Sequence, residues 1–155
     1  MVSSVTLTPI GEVIGGRIEP KDDAWGEVES VIRLDPLQFT KDSVLGLEEF
    51  SHVEVIYYFH LVEDEKIEFE SRHPRGREDW PRVGILAQRA KDRPNRLGVT
   101  ICELLRVNGL EIAVRGLDAI DGTPVLDVKP WMREFAARGT VNEPAWADEL
   151  MRDYW

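Results

Sequence analysis

Eight basic side chains lie within 25 residues of this 155-residue chain and could together bind an anion. They are Arg72, Arg75, Arg77, Arg82, Arg89, Lys91, Arg93 and Arg96, and only three acidic residues accompany them. The segment therefore carries +5, which leaves −15 on the rest of a chain whose total is −10. A solvated loop is the simplest interpretation of such a run of charges. The functional interpretation is a site for phosphate or carboxylate, because guanidinium groups bind both through paired hydrogen bonds.

Part of this segment is stiff. Pro94 fixes its own φ and restricts Arg93, the residue before it, to extended backbone. Arg93 and Arg96 flank that stiff point, so their guanidinium groups can be held in place for an anion.

Two further places could carry a site. Asp118, Asp121 and Asp127 fall within ten residues, beside an Asp-Gly pair that is typical of a turn. The turn alone could explain them, yet loops on a rigid β framework are also where binding residues concentrate. His60 closes a predicted strand, where a side chain can reach a ligand.

The chain lacks the common signatures of catalytic and metal sites. It has no glycine-rich nucleotide motif, no Gly-x-Ser-x-Gly and no His-Glu-x-x-His. The three histidines and the lone Cys102 do not have zinc spacing, and Cys102 is expected to be a buried apolar residue. We expect no metal, no membrane segment and no signal peptide. The net charge of −10 argues against nucleic acid unless the basic segment acts locally, and the single cysteine favours the cytoplasm.

Strand patterns must position these residues. Strands are predicted over Val28–Leu34 and His52–Leu61, in the alternating Lys66–Glu70, within Val83–Gln88, and over Thr123–Trp131 up to Pro130. The clearest unit is a hairpin in which Val99, Ile101, Leu105 and Val107 precede Asn108-Gly109, and Leu110, Ile112 and Val114 follow. Asn-Gly between alternating runs is a strong hairpin signal.

Helix signals are few and short. Asp42–Phe50 favours a short helix or turn, Pro130–Gly139 two helical turns, and Asn142–Trp155 a helix with Pro144 near its start. The length is typical of one domain, 1–155. The sequence thus predicts a mainly β fold, a small single-sheet barrel with short peripheral helices, since closure hides strand edges.

Four segments in this order resemble the TrmO-type (TsaA-like, YaeB-like) tRNA methyltransferases. They are "PIGEV", "GLEEFSHVEVIYYFH", "VGILAQRAKDRPNRLG" and "GLDAIDGTPVLDVKPW". The resemblance implies a small β-barrel that works as a homodimer with S-adenosylmethionine. It further implies methylation of N6 of threonylcarbamoyladenosine beside the tRNA anticodon.

The resemblance also implies roles for individual residues. Those implied to bind the cofactor are His60, Leu61, Ala87, Arg89, Leu117, Asp118, Asp121 and Thr123. Arg93 and Asn95 are implied to face the reacting groups. The residues expected to bind the substrate are Arg75, Lys91, Arg93, Arg96 and Lys129.

This chain also departs from the family pattern. Ala90-Lys91 and Arg96-Leu97 replace residues common in the family, and Lys21–Trp25 replaces a cofactor-binding loop. Two alternatives therefore stay open beside a tRNA methyltransferase. The acceptor could be a small molecule, or the chain could be a non-catalytic module that binds S-adenosylmethionine or RNA.

Overall fold

A computed structural model describes residues 3–155 of the chain. Six strands form the main sheet: β1 (Gly11–Ile14), β2 (Glu29–Leu34), β3 (His52–Tyr58), β6 (Leu97–Asn108), β7 (Glu111–Arg115) and β8 (Pro124–Pro130). Two short strands, β4 (Ser71–Arg72) and β5 (Val83–Gly84), pair separately. One α-helix, α1 (Ala145–Met151), lies near the end of the described chain.

The main sheet closes into a barrel in the order β1-β2-β7-β6-β3-β8, with every neighbouring pair antiparallel. Closure leaves no edge strand in this main sheet. The predicted mainly β barrel is therefore confirmed. The Asn108-Gly109 hairpin is also confirmed: β6 pairs with β7 across this turn, and Gly109 has a φ of 60°, which glycine adopts without strain.

Alternating residues of each strand fill the barrel interior. Val53, Val55 and Tyr57 of β3 are buried, and the intervening residues are half-buried. The same alternation confirms the predicted burial of Cys102: Gly98, Thr100 and Cys102 of β6 face inward, while Val99 and Ile101 lie outside. The inner residues of β6 are small because the Tyr57 ring occupies the space beside them: a Cβ on Gly98 would lie 2.3 Å from Tyr57 Cε2.

Several predicted elements differ in the structure. The predicted strand over Lys66–Glu70 is wrong: a 3₁₀ turn covers Asp64–Lys66, and the next residues run beside Asp92, whose carbonyl accepts the Glu68 N–H at 2.9 Å. Val83–Gln88 is only two residues of strand followed by a 3₁₀ turn over Ile85–Ala87. Strand β1 was not predicted, since its four residues are too short to show a pattern.

The remaining helical segments are short. The helix or turn predicted within Asp42–Phe50 is confirmed as 3₁₀ turns over Lys41–Val44 and Leu47–Glu49. Within Pro130–Gly139 only Arg133–Phe135 is helical. The helix after Pro144 is confirmed as α1, and two more 3₁₀ turns cover Pro74–Gly76 and Pro94–Arg96.

Candidate functional site

The carboxylate of Asp118 accepts hydrogen bonds from hydroxyl groups in three parts of the chain. The Tyr57 hydroxyl donates to Asp118 Oδ1 at 2.8 Å, and the Thr100 hydroxyl donates to the same oxygen. Asp118 Oδ2 accepts the hydroxyl of Tyr154, a residue 36 positions further along the chain. A half-buried carboxylate needs such donors, because an ionised group loses much of its hydration on burial.

Burial strengthens the hold of the neighbouring hydroxyl and thiol groups on their protons. Burial is the main cause that raises the pKa of Tyr57 above its usual value, and the charge of Asp118 adds to it. Burial likewise raises the pKa of the Cys102 thiol to about 12. Neither group is therefore suited to act as a base or nucleophile, and both hydroxyl and thiol stay neutral.

Two arginines oppose the effect of Asp118 on the pKa of Tyr154. Burial raises the pKa of Tyr154, and the Asp118 charge and hydrogen bond add to the rise, whereas Arg89 and Arg75 act in the opposite direction. The positive charges of both arginines thus favour the ionised form of Tyr154, which the Asp118 charge disfavours.

The loop between β7 and β8 is fixed by its second aspartate. Asp121 Oδ1 accepts the Gly15 N–H at 2.6 Å, and the Asp121 N–H donates to the carbonyl of Arg17 at 2.8 Å. Asp121 thus ties this loop to the segment that follows β1. Leu117 and Thr123, two more residues of the predicted cofactor set, are buried at 0% and 3% exposure, so neither presents an accessible surface to a ligand in this structure.

The Arg93-Pro94-Asn95 turn has unusual backbone geometry. Asn95 and Arg96 have φ values of 64° and 50°, in the left-handed region that residues other than glycine rarely adopt. Neighbouring groups hold Arg96: its guanidinium donates to the Tyr58 hydroxyl at 2.8 Å and pairs with Asp64, and its carbonyl accepts the Phe59 N–H at 2.9 Å. Strain of this kind is common where a turn must present functional groups in one geometry.

The same turn and the preceding residues present several predicted site residues. Arg93 donates to the carbonyl of Gln88 at 2.7 Å, and Arg89 donates to the carbonyl of Val99 at 2.7 Å. Asn95 is exposed. These bonds anchor the two arginines on main-chain oxygens, so their remaining N–H groups are available to a ligand.

The rest of the predicted cofactor set lies around this turn. His60 lies just past the end of β3 and is half-buried, Leu61 is 61% exposed, and Ala87 is exposed in its 3₁₀ turn. The Phe59–Arg96 backbone bond joins the end of β3 to the Pro94–Arg96 turn. The structure therefore brings the strand end, this turn and the Asp118 loop to one end of the barrel.

Half of the basic segment is already neutralised. Arg72, Arg75, Arg77 and Arg96 pair with Asp92, Asp23, Asp79 and Asp64, respectively. Within residues 3–155, Arg82, Arg89, Lys91 and Arg93 form no such ion pair. The charges available to an anion are therefore fewer than the sequence suggests.

Lys129 lies apart from the other predicted substrate residues. Lys129 pairs with Asp127 at 2.6 Å on the exposed side of β8. It lies four residues after Val125, the residue of β8 that is opposite Tyr57 of the Asp118 network. Four residues of strand span about 13 Å.

A cavity of about 490 Å³ at that far end of the barrel is lined mainly by apolar residues such as Leu34, Phe39 and Ile112, and it offers no cation to an anionic ligand.

Sequence patterns did not identify three residues of the Asp118 network. Tyr57 and Thr100 do carry a signal, since both are hydroxyl residues at inward positions of strands near the barrel end. Tyr154 carries none, because only folding brings it to Asp118.

Across residues 3–155, no three His, Cys, Asp or Glu side chains gather as metal ligands, and no helix is long and apolar enough to cross a membrane.

Curated proteins from several organisms are similar to much of this chain. A probable S-adenosyl-L-methionine-binding protein of Pyrococcus abyssi is 34% identical over 89% of this chain and 74% of its own length. Another, from Methanothermobacter thermautotrophicus, is 35% identical over 87% of this chain and 96% of its own. The human tRNA (adenine(37)-N6)-methyltransferase is 37% identical over 66% of this chain, which corresponds to 23% of the human protein.

Solved structures share the fold. The crystal structure of TrmO from Pseudomonas aeruginosa superimposes with a TM-score of 0.72 at 26% identity, covering 90% of this chain and 61% of that one. A second TrmO structure gives a TM-score of 0.75 at 23% identity over 94% of this chain.

The family comparison agrees with both sets of relatives. Residues 19–137 match the family described as the tRNA-methyltransferase O N-terminal domain, TrmO_N. The match covers the Lys21–Trp25 loop, the basic segment and Asp118, and it confirms the family that the four sequence segments predicted. The chain belongs to the TrmO family.

Proposed function

We propose that this protein is an S-adenosylmethionine-dependent methyltransferase that methylates N6 of the adenosine next to the tRNA anticodon. The match of residues 19–137 to the TrmO N-terminal domain carries the proposal. Relatives named as S-adenosylmethionine-binding proteins and as tRNA (adenine(37)-N6)-methyltransferases support it. The acceptor we propose is threonylcarbamoyladenosine, in agreement with the four segments of the sequence.

The charges around Asp118 suit the proposed cofactor. S-adenosylmethionine carries a carboxylate, an ammonium group and a sulfonium cation, and it supplies an activated methyl group when bound. Arg89 is a cation without an acidic partner among the described residues, so it can bind the carboxylate. Asp118 offers a negative charge for one of the positive groups.

The residues of the chain act mainly by positioning and by electrostatics. Alignment of donor and acceptor at roughly 3–3.5 Å accounts for much of the catalysis expected of such a transfer. Arg93 and Asn95 project from a turn that its neighbours hold in one conformation. Arg93 is suited to bind the threonyl carboxylate or a nearby phosphate, and the exposed Asn95 amide can hydrogen-bond the acceptor base. Lys91 precedes this turn and Arg96 lies in it, so both stay in the proposed substrate set, whereas Arg75 is paired with Asp23 and Lys129 lies apart from the others.

A homodimer is part of the proposal. Leu97, Val99 and Ile101 form an apolar stripe on the outside of β6, with exposed fractions of 37%, 37% and 49%. Arg89 bonds to the carbonyl of Val99, so the stripe adjoins the proposed cofactor site. A second copy of the chain would cover this stripe and add its own residues to the cleft.

One observation favours a second candidate function. Because four of the eight basic residues are paired with acids, the surface left for a polyanion is small. A small-molecule acceptor would need only one or two of the remaining cations. This candidate keeps the cofactor and replaces the tRNA.

Labelled S-adenosylmethionine separates these functions. The protein would be incubated with it and with tRNA that carries threonylcarbamoyladenosine, followed by nucleoside analysis. We expect a labelled methyl group on that nucleoside. Binding of cofactor by calorimetry without methylation of this tRNA or of its unmodified form would favour a small-molecule acceptor. Absence of cofactor binding would reject both functions.

Asn95→Gly isolates the role of the Asn95 amide. Glycine adopts the φ of 64° without strain, so the turn is expected to keep its shape and the free energy of unfolding to change by no more than about 1 kcal/mol. We expect methyl transfer to fall about tenfold or more, because the acceptor loses a hydrogen-bonding partner. Unchanged transfer by a stable variant would remove Asn95 from the reaction.

A further inference from the structure

The segment Pro144–Trp155 reaches the centre of the candidate site although it lies outside the residues that match the family. The match ends at residue 137, and Tyr154 donates its hydroxyl to Asp118. This contact joins a residue of the family domain to a residue that the family match does not describe.

Main-chain hydrogen bonds hold the end of this segment on the Lys21–Trp25 loop. The Trp25 N–H donates to the carbonyl of Tyr154 at 2.8 Å, and the Ala24 N–H donates to the carbonyl of Asp153 at 2.9 Å. The approach is close enough that a Cβ on Gly26 would lie 2.7 Å from the carbonyl carbon of Trp155. The loop and the segment therefore pack backbone to backbone.

The start of the segment is anchored on the basic segment. Trp80 Nε1 donates to Glu149 Oε2 at 2.8 Å, and the ring centroids of Trp80 and Trp146 are 6.5 Å apart. Trp80 is only 5% exposed. Two anchors, one at α1 and one at Tyr154, thus fix the path of the segment across this end of the barrel.

The hydroxyl of Tyr154 has a distinct part in this arrangement. The barrel strands supply Tyr57 and Thr100 to Asp118 Oδ1, whereas among the described residues Oδ2 accepts only from Tyr154. A hydrogen bond to a charged group is stronger than one between neutral groups. Tyr154 thus both orients Asp118 through its hydroxyl and holds the Lys21–Trp25 loop through its carbonyl.

We propose that Tyr154 is a positioning residue of the cofactor site. By donating to Asp118 and pairing with Trp25, it fixes the Lys21–Trp25 loop as one wall of that site. The identity of the ligand rests on the proposed function, whereas the fixing of the wall does not.

Amide hydrogen exchange tests, in the absence of cofactor, whether Tyr154 fixes the Lys21–Trp25 loop. Tyr154→Phe keeps the ring and removes only the hydroxyl. We expect the Ala24 and Trp25 amides to exchange at least about fivefold faster in this variant, because their acceptors lose the anchor on Asp118. Unchanged exchange of both amides would overturn the proposal, whether or not the protein binds S-adenosylmethionine.

Calorimetry and kinetics with S-adenosylmethionine test the positioning. We expect Tyr154→Phe to raise the Kd for the cofactor about fivefold or more and its KM in parallel, with kcat at saturating cofactor nearly unchanged. Glu149→Gln is the matched control, since its amide oxygen still accepts from Trp80 and it does not touch Asp118.

The outcomes of the two tests are distinct. A Kd unchanged by Tyr154→Phe would overturn the positioning role, and a lower Kd would show that Tyr154 competes with the cofactor instead. If the wild-type protein binds no S-adenosylmethionine, the proposed function fails, and the exchange of the Ala24 and Trp25 amides still decides whether Tyr154 fixes the wall.

Discussion

The guanidinium of Arg75 donates to both carboxylate oxygens of Asp23, at 3.1 and 2.8 Å. The hydrogen bond to Asp23 is the main cause that raises the pKa of Arg75. The two residues are 52 positions apart, and their contact ties the basic segment to the Lys21–Trp25 loop. Arg75 therefore supports a loop of the site, and its charge is compensated before any substrate arrives.

Salt dependence of the proposed tRNA binding should distinguish the paired from the unpaired cations. Each phosphate contact contributes about −0.7 to −0.9 to the slope of log K against log salt concentration. We expect Lys91→Ala to make the slope shallower by about that amount. Arg77→Ala is the control, because Arg77 is paired with Asp79. Equal changes in the two variants, measured by filter binding, would mean that the ion pair opens on RNA binding.

Gly98→Ala should destabilise the barrel. The new Cβ would lie 2.3 Å from Cε2 of Tyr57, which is 1% exposed and held by Asp118, so the ring cannot move aside. Overpacking of this kind costs about 1–3 kcal/mol. Gly84→Ala is the control. The nearest atom to its new Cβ would be 3.9 Å away, and Gly84 has an ordinary φ of −61°. Urea denaturation should show a loss for Gly98→Ala and none for Gly84→Ala; similar midpoints for both would contradict the packing.

The stability of the protein should fall as pH rises above about 10. The pKa values of Tyr57 and Tyr154 are raised in the folded state, so the unfolded chain releases these protons first, near its ordinary tyrosine pKa of about 10. Below that pH both states keep the protons and the stabilisation is complete. Above it, the free energy of unfolding falls by up to about 1.4 kcal/mol per pH unit for each group.

Urea denaturation from pH 9 to pH 11 measures this effect. Tyr154→Phe should reduce the slope of the free energy of unfolding against pH, because only one of the two buried tyrosine hydroxyls is then left to titrate. The Cys102 thiol, with its pKa raised to about 12, adds to the same trend. A free energy of unfolding that stays constant over this range would contradict the burial of both hydroxyls.

Ile101→Glu should convert the proposed homodimer to a monomer. The substitution places a charge in the apolar stripe of β6, where Ile101 is 49% exposed, and burial of an unpaired charge at an interface is costly. Leu45→Glu is the control, because Leu45 is 85% exposed in the turn between Val44 and Gly46. Light scattering should report half the mass only for Ile101→Glu. A wild-type protein that is already monomeric at micromolar concentration would reject the dimer.

The sequence by itself determined the class of fold and the family. Alternating apolar residues and the Asn108-Gly109 pair identified β2, β3, β6, β7 and β8, because alternation and turn preference are local properties of the chain. The motifs around Arg93 and Asp118 identified the family for the same reason, since they consist of residues close together in sequence.

The tertiary structure alone decided which face of β6 is inside and which charges remain unpaired. A period of two fixes alternation but not direction, and the apolar Val99 and Ile101 lie outside because Tyr57 leaves room only for Gly98 and Thr100. The Arg75–Asp23 and Tyr154–Asp118 contacts likewise join residues 52 and 36 positions apart. Such contacts form only when the barrel closes and the loops at its end pack together, so no local pattern can encode them.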